Sequence, residues 1–510
     1  MDRRAFLHRA LLASGSTLAL PLVGCSTAPS GWGSAPDSRA RDLLLPAARR
    51  PRRTLEVFLW GGLAPWDTLY AVPAHGRAGG GGAHAGERWM WWAHADETEQ
   101  RIGACGLELD ELLAPFGEDA NGELVHLGPF AAPLRARDDI VARLRILVMD
   151  HEQFPHQTAV PLTLTGSRLG APQMAGTAAH IERWVREAEP DRNIPASWVI
   201  QPPNPAFRTD NTTTAAAVGR HPGIARPGVL RIGESTRRRV ERFARAHLDG
   251  RSASFDRAVD AYSAAFEAAL TPAGASGPLR SAALDDWRAA QAGLREAPTL
   301  AGLLDDALEP GPATSCGESG SLDGTAAGLK AAVRLLTSPV SAARWATVID
   351  GGLIPASHMT GFDTHLDHVR VQARNTLHTL RTLVQLINEP GEDDPDKLDL
   401  AQDTVLLTTE FGRSPYPEGD SGLDHWNAGY AVAAFGGWAD EARSGVVGAI
   451  DVEGRAVDGV RPAELRAALL LAQGIWPFEP EAFATSAVRG VDDRFAAAQR
   501  LRQHVLGYGS

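Results

Sequence analysis

The chain has 510 residues and a formal net charge of −12 at pH 7, which argues against broad contact with nucleic acid. Its apolar fraction (44%) and charged fraction (22%) are those of a soluble globular protein, long enough for one large domain or two ordinary ones. With three cysteines and no CxxC, CxxCH or Cys/His cluster, the sequence gives no support to zinc fingers, c-type haem or iron–sulfur centres.

The N-terminus reads MDRRAFLHRALLASGSTLALPLVGCS. Arg3 and Arg4, followed by Phe6 and Leu7, form the pattern of a twin-arginine export signal. The apolar stretch from Leu11 to Val23 is diluted by Ser14, Gly15, Ser16 and Thr17 and is short for a bilayer span. It ends in Leu22-Val23-Gly24-Cys25, small residues leading into a cysteine, which resembles the lipobox cut by lipoprotein signal peptidase. Both signals in this order favour a lipoprotein over a plain secretory signal with an incidental cysteine. Residues 1–25 are therefore expected to be a signal handled by the twin-arginine translocase and the lipoprotein-processing machinery. Lipid on Cys25 would anchor the protein to a membrane, in the periplasm or at the cell surface. Ser26 in place of Asp after that cysteine favours the outer membrane.

Residues 26–53, rich in Ala, Pro, Ser and Arg, predict a flexible tether. Order is expected to begin with a buried strand at 54–60, broken at Gly61-Gly62. A Gly- and Trp-rich excursion (79–82, 89–92) reads as an insertion over the domain, and a second strand is predicted at 145–149. From about 234 to 310 the Ala/Arg/Glu-rich periodicity predicts a helical insertion, closed by a Gly/Ser-rich loop at 311–324. Further helices are expected at 326–336, at 365–387 and from Pro462, with strands at 344–349, 404–408, 430–435 and 445–450. Strands alternating with helices predict an α/β fold with a mainly parallel sheet in a single domain over 54–510. Cys105 and Cys316 are, in an oxidising compartment, either a disulfide or two unrelated thiols.

In such sheets the working residues gather beyond the carboxyl ends of the strands. Asp67 follows the first predicted strand; Asp150, His151 and His156 follow the second. The segment GFDTHLDH, beyond the strand at 344–349, offers Asp363, His365, Asp367 and His368. Glu410 and Arg413 follow the strand at 404–408, and the next loop, GLDHWN, offers Asp424 and His425. Carboxylates and imidazoles at nearly every strand end are what one or two divalent ions, such as zinc, manganese, calcium or magnesium, would need. Each residue also has a plainer use: a turn or cap for Asp67, a helix cap for Asp363 and His365, a loop salt bridge for Glu410 with Arg413.

The stretch LLTTEFGRSPYPEGDSGLDHW, with GFDTH upstream and WGGLAPWDT near the start, resembles the signature segments of the family catalogued as domain of unknown function 1501 (DUF1501). Members are exported bacterial proteins, often with twin-arginine signals, placed in the alkaline-phosphatase-like superfamily. The likeness runs from about Leu55 to about Ile475, and the EFGR…DHW segment is its most specific part. It implies a three-layer αβα sandwich with a helical insertion. It further implies metal-binding roles for Asp67, Asp363, His365, Glu410, Asp424 and His425. Three departures stand out. The Asp363-x-His365 spacing is shorter than the superfamily's, Phe411 stands where a histidine ligand belongs, and Gln153 sits at the nucleophile position of a turn resembling Thr-Phe-Pro-Asn. Glutamine forms no phospho-enzyme intermediate.

The reading that follows is an exported hydrolase of a sulfate or phosphate ester. Its metal would be held by those six residues, with His151 and His156 lining the site as ligands or acid/base groups and Arg413 facing the substrate anion. The alternative is a non-catalytic envelope lipoprotein that binds a glycan or a partner and keeps the fold without the chemistry. No GxGxxG follows a predicted strand, so a dinucleotide-dependent redox enzyme has no support. Replacing Arg3 and Arg4 by Lys is expected to leave the chain in the cytoplasm; cell fractionation of the producing bacterium checks this.

Overall fold

The computed structural model describes residues 32–76, 94–171, 174–189, 194–200, 216–221, 224–232, 253–270, 282–305, 324–353, 361–419, 421–478 and 482–509, with a few single positions between them. The export signal at Arg3 and Arg4, Cys25, the Gly/Trp-rich excursion, the Gly/Ser-rich loop and Cys316 lie outside these residues. Cys105 is buried and disulfide-bonded.

The strands are β1 (Arg53–Leu59), β2 (Ala114–Glu118), β3 (Leu124–Leu127), β4 (Arg145–Met149), β5 (Trp198–Ile200), β6 (Val229–Arg231) and β7 (Trp345–Asp350). They continue with β8 (Asp403–Thr408), β9 (Gly412–Glu418), β10 (Gly422–Trp426), β11 (Tyr430–Phe435), β12 (Gly445–Val447), β13 (Ala449–Ile450) and β14 (Ala456–Val457). The main helices are α1 (Ser38–Leu43), α2 (Ala95–Ala104), α3 (His156–Thr165), α4 (Thr177–Ala188), α5 (Ala253–Leu270), α6 (Ala282–Leu304), α7 (Gly324–Thr337), α8 (His368–Gln385), α9 (Pro462–Ala472) and α10 (Arg494–Arg500).

Eight strands form one sheet in the order β12-β4-β11-β8-β1-β7-β5-β6. All its pairs are parallel except those made by β11, which runs against both β4 and β8. This is the mainly parallel α/β sheet that the sequence predicts. Strands β4, β7, β8 and β11 are buried along their whole length, as expected where helices cover both faces. Neighbouring residues on a strand point to opposite faces, and two of them identify the layers. Thr347 turns toward Glu56 and the α9 side, whereas Val348 packs toward Gly328 of α7. Among the described residues no helix is long and apolar enough to cross a membrane.

Glu56, in the middle of β1, is a charge inside this packing. Its carboxylate meets the Arg466 guanidinium of α9 at 2.6 Å, both side chains being about 1% exposed. Thr408 of β8 donates to the same carboxylate at 2.8 Å and Thr347 of β7 at 3.2 Å, while Arg466 also donates to Thr163 O of α3 at 2.5 Å. One ion pair thus ties three central strands to two helices.

Four local expectations change. Residues 32–53 are no tether: Trp32, Ala40, Leu44 and Leu45 are buried, and α1 packs on α10. The helix expected from 365 starts at His368, because Asp367 takes a left-handed conformation (φ 56°). The strand expected at 445–450 is split by Gly448 (φ 78°) into β12 and β13. The segment GLDHWN, read as a loop, is strand β10 paired antiparallel with β9.

Glu56→Ala leaves Arg466 buried without its counter-charge and is expected to cost about 3–5 kcal/mol of stability. A Glu56→Leu/Arg466→Met double variant is expected to lose less than the single one, as read from denaturant unfolding midpoints.

Candidate metal centre

The parallel register ends β1, β7 and β8 at one level, and the loops beyond them converge with the β9–β10 hairpin and the start of α3. Gly61, past β1, allows a close approach. Its φ is 120°, and a Cβ there would lie 2.2 Å from the Asp363 amide nitrogen. Its N–H donates to Glu410 Oε1 at 2.8 Å.

Asp363 is the hub. Arg413 Nη2 donates to its Oδ1 and to Gly61 O, and Arg413 Nη1 donates to Leu423 O at 3.0 Å. His425 Nε2 lies 3.2 Å and His365 Nε2 3.1 Å from the same Oδ1, and the two imidazole nitrogens are 3.1 Å apart. His156 Nε2 stands 3.4 Å from Oδ2, an ion-pair contact without hydrogen-bond geometry. Two groups bring ligand atoms within 4.8 Å of one another: His156, Asp363 and His425, and the more open His365, Asp424 and His425. The hairpin supplies two members at one stroke, since Arg413 and His425 are register partners across β9 and β10.

His156 is oriented from behind. Its Nδ1–H donates to Glu410 Oε1 at 2.7 Å, which directs Nε2 into the cluster. Trp60 stacks on it with ring centroids 4.8 Å apart, and Phe411 leans on both His156 (4.9 Å) and His425 (4.3 Å). Phe411 therefore walls the site.

The charges of the cluster are strongly coupled. Burial pushes the His156 pKa down, but the carboxylates of Asp363 and Glu410 outweigh it and lift it to about 9. Burial works to raise Asp363, yet His156, His365, His425 and Arg413 together hold its carboxyl far below the usual range. His365 is raised by Asp363 first and by Glu418, which accepts from its Nδ1 at 2.8 Å. His425 is lowered, by burial above all. Asp363 pairs with the Arg413 guanidinium, while Glu410 lies against His156 and Glu418 and Asp424 lie against His365. The excess of carboxylates is met either by protons on the imidazoles or by a metal ion that replaces them.

Of the residues proposed from sequence, His156, Asp363, His365, Asp424 and His425 come together as ligand-bearing groups, and Glu410 stands behind His156. Asp67 is placed elsewhere. It is buried, its Oδ2 accepts from His368 Nε2 at 2.6 Å, and its Oδ1 has no hydrogen-bond partner among the described residues. His368 Nδ1 in turn accepts from Thr364 Oγ at 2.7 Å, so Asp67 braces the segment between Asp363 and His365. His151 donates from Nε2 to Glu410 O at 2.5 Å and accepts from Gln153 N at 3.1 Å. With both nitrogens committed and its pKa lowered by burial, it fixes the loop and has no free atom for acid/base work. Arg413 is fully buried and holds Asp363 and two carbonyls, so it does not face a substrate anion. His368 carries no role that its sequence position announces, and Glu418 reaches His365 only through the hairpin register.

This is an α/β protein with a His/Asp cluster of metal-binding geometry at the strand ends. Residues 332–481 match a family described as Protein of unknown function (DUF1501). The match takes in Asp363, His365, Glu410, Arg413, Asp424 and His425 and stops short of Asp67, His151 and His156. No curated protein and no solved structure matches the chain.

Glu410→Gln, which removes the carboxylate behind His156, is expected to weaken divalent-ion binding about 10–100-fold in titration calorimetry. Because His156 must lose its proton first, affinity is expected to rise from pH 7 toward pH 9, with proton uptake by the buffer. Affinity flat across that range would count against His156 as a ligand.

Proposed function

We propose that this chain is an exported, lipid-anchored, metal-dependent hydrolase of a sulfate or phosphate ester, with an alkaline-phosphatase-like arrangement of sheet and ligands. The observation that carries the reading is the convergence of His156, Asp363 and His425 on one point at the carboxyl edge of the central strands. Their fit to an ion rests on His156, whose Nδ1 is held by Glu410 while its buried Nε2 has no hydrogen-bond partner among the described residues. One divalent ion there would supply Lewis acidity at an ester oxygen and a lowered pKa for water.

The chain's own residues divide the remaining work. Glu410, itself held by the Gly61 N–H, fixes the His156 ring, and Arg413, anchored on Gly61 O, fixes Asp363, so the ligand atoms do not reorganise. Trp60 and Phe411 keep water from the inner side of the cluster. His365 and Asp424, with side chains 36% and 48% exposed, form the open side by which an ester reaches the cluster. His365 can hand a proton from Nε2 to a leaving oxygen while Glu418 steadies Nδ1. No protein nucleophile is assigned: Gln153 has an amide, so attack falls to water.

Gln153 and Phe411 favour a second reading, a binding lipoprotein that has kept the cluster and lost turnover. A screen of aryl phosphates, sulfates and phosphonates with zinc, manganese, calcium or magnesium separates the two. The hydrolase reading expects turnover that falls at least ~100-fold in Asp363→Asn and His425→Ala, since each removes a ligand. Metal binding without turnover on any ester would leave the second reading standing.

A further inference from the structure

The described chain begins at Trp32, at the edge of the sheet opposite the metal centre. Trp32 is 4% exposed, and its backbone N–H donates to Glu187 Oε2 at 3.2 Å, in the last turn of α4. Its indole donates to His180 O at 3.2 Å, and its ring packs on His221 (centroids 4.2 Å) beneath the Arg183 guanidinium (5.3 Å). The next residue, Gly33, accepts from Trp476 N at 2.7 Å, just past α9. Both helix ends meet the beginnings of parallel strands. Glu189, after α4, pairs with Arg344 at the start of β7, and Gln473, after α9, donates to Thr54 of β1 at 2.9 Å. The ligand cluster lies past the other ends of those same strands, about 23 Å away along the seven residues of β1.

Cys25 precedes Trp32 by only seven residues, which reach about 25 Å when fully extended. A compact domain of this length is roughly 60 Å across. At full stretch that segment covers little more than the length of β1, and the strand-end loops and the β9–β10 hairpin add to the span, so it is too short to lay the metal centre against the bilayer.

We propose that lipid on Cys25 seats the strand-start edge, at Trp32 and the ends of α4 and α9, against the bilayer. The metal centre then faces away from that membrane and takes soluble or wall-borne anionic esters, not headgroups of the lipids that anchor it. The proposal rests on the lipoprotein reading of Cys25. A flexible spacer over 26–53 would have left every orientation open; burial of Trp32, Leu44 and Leu45 removes that freedom.

The test uses full-length lipidated protein on phosphatidylethanolamine/phosphatidylglycerol vesicles doped with a rhodamine lipid. A fluorescent amino acid is placed either at position 34 or at position 366, both exposed, the first beside Trp32 and the second beside His365. Energy transfer to the lipid acceptor is expected to be several-fold stronger from position 34. Inserting about 30 Gly/Ser residues ahead of Trp32 is expected to erase the difference, since that length frees the domain to tumble. Equal transfer from both positions in the uninserted protein overturns the orientation. Cys25→Ser is expected to abolish vesicle association; association that survives it overturns the lipid reading instead, a separate result.

Discussion

Asp363 is the charge on which the carboxyl edge of this sheet is built. A carboxylate nearly out of water costs several kcal/mol unless it is paired and hydrogen-bonded, and here the partners come from separate stretches of chain. Arg413 and His425 arrive on a hairpin, His156 at the head of α3, His365 on the same turn as Asp363. None of these groups would hold its place without the others, because each carries or can carry a charge that the buried carboxylate compensates. Gly61 admits the Asp363 backbone where no side chain would fit and gives its own N–H to Glu410, which joins β1 and β8 to the same knot.

That knot needs a rigid frame, and the frame has its own buried charge. Glu56 and Arg466 lie inside the packing between β1 and α9, bonded to threonines of β7 and β8 and to a carbonyl of α3. A pair of this kind is a weak source of net stability but a strict one for geometry, since any shift of a strand or helix strands a charge. The strands that carry Glu56 and its threonine partners are the three whose ends present the ligand loops. The two ion-pair systems therefore sit on one set of strands: one fixes how β1, β7 and β8 lie under the helices, the other uses the level at which they end.

The cluster's chemistry follows from the imbalance of its charges. Carboxylates outnumber the single buried guanidinium, and the imbalance is met by raising His156 and His365, not by neutralising Asp363. A site that binds protons more tightly than free imidazole does is a site where a doubly charged ion has something to displace. The aromatic wall of Trp60 and Phe411 strengthens this by keeping the inner side dry, so the same charges interact at lower effective dielectric.

The strands of the sheet were legible in the sequence because they are buried on both faces and read as largely apolar runs: those expected at 54–60, 145–149, 404–408 and 430–435 stand at 53–59, 145–149, 403–408 and 430–435. The position of Asp363, His365, Glu410 and His156 after those strands was legible for the same reason. Their division of labour was not. Whether a carboxylate serves as a ligand, a brace or a counter-ion depends on which side chain faces it across space. Asp67 turned to His368, and Glu410 to His156, through contacts more than 250 residues apart in sequence. Arg413 and His425 meet only through the register of a hairpin that local pattern did not announce, because its Gly- and Pro-containing strands lack the usual alternation. Low apolarity likewise made residues 32–53 read as a spacer, when a few buried anchors, Trp32 first among them, suffice to fasten them. Sequence, then, determined the fold and the kinds of side chain at its edge; tertiary structure alone decided which of them share a charge, since electrostatic pairing is set by distance in space and not along the chain.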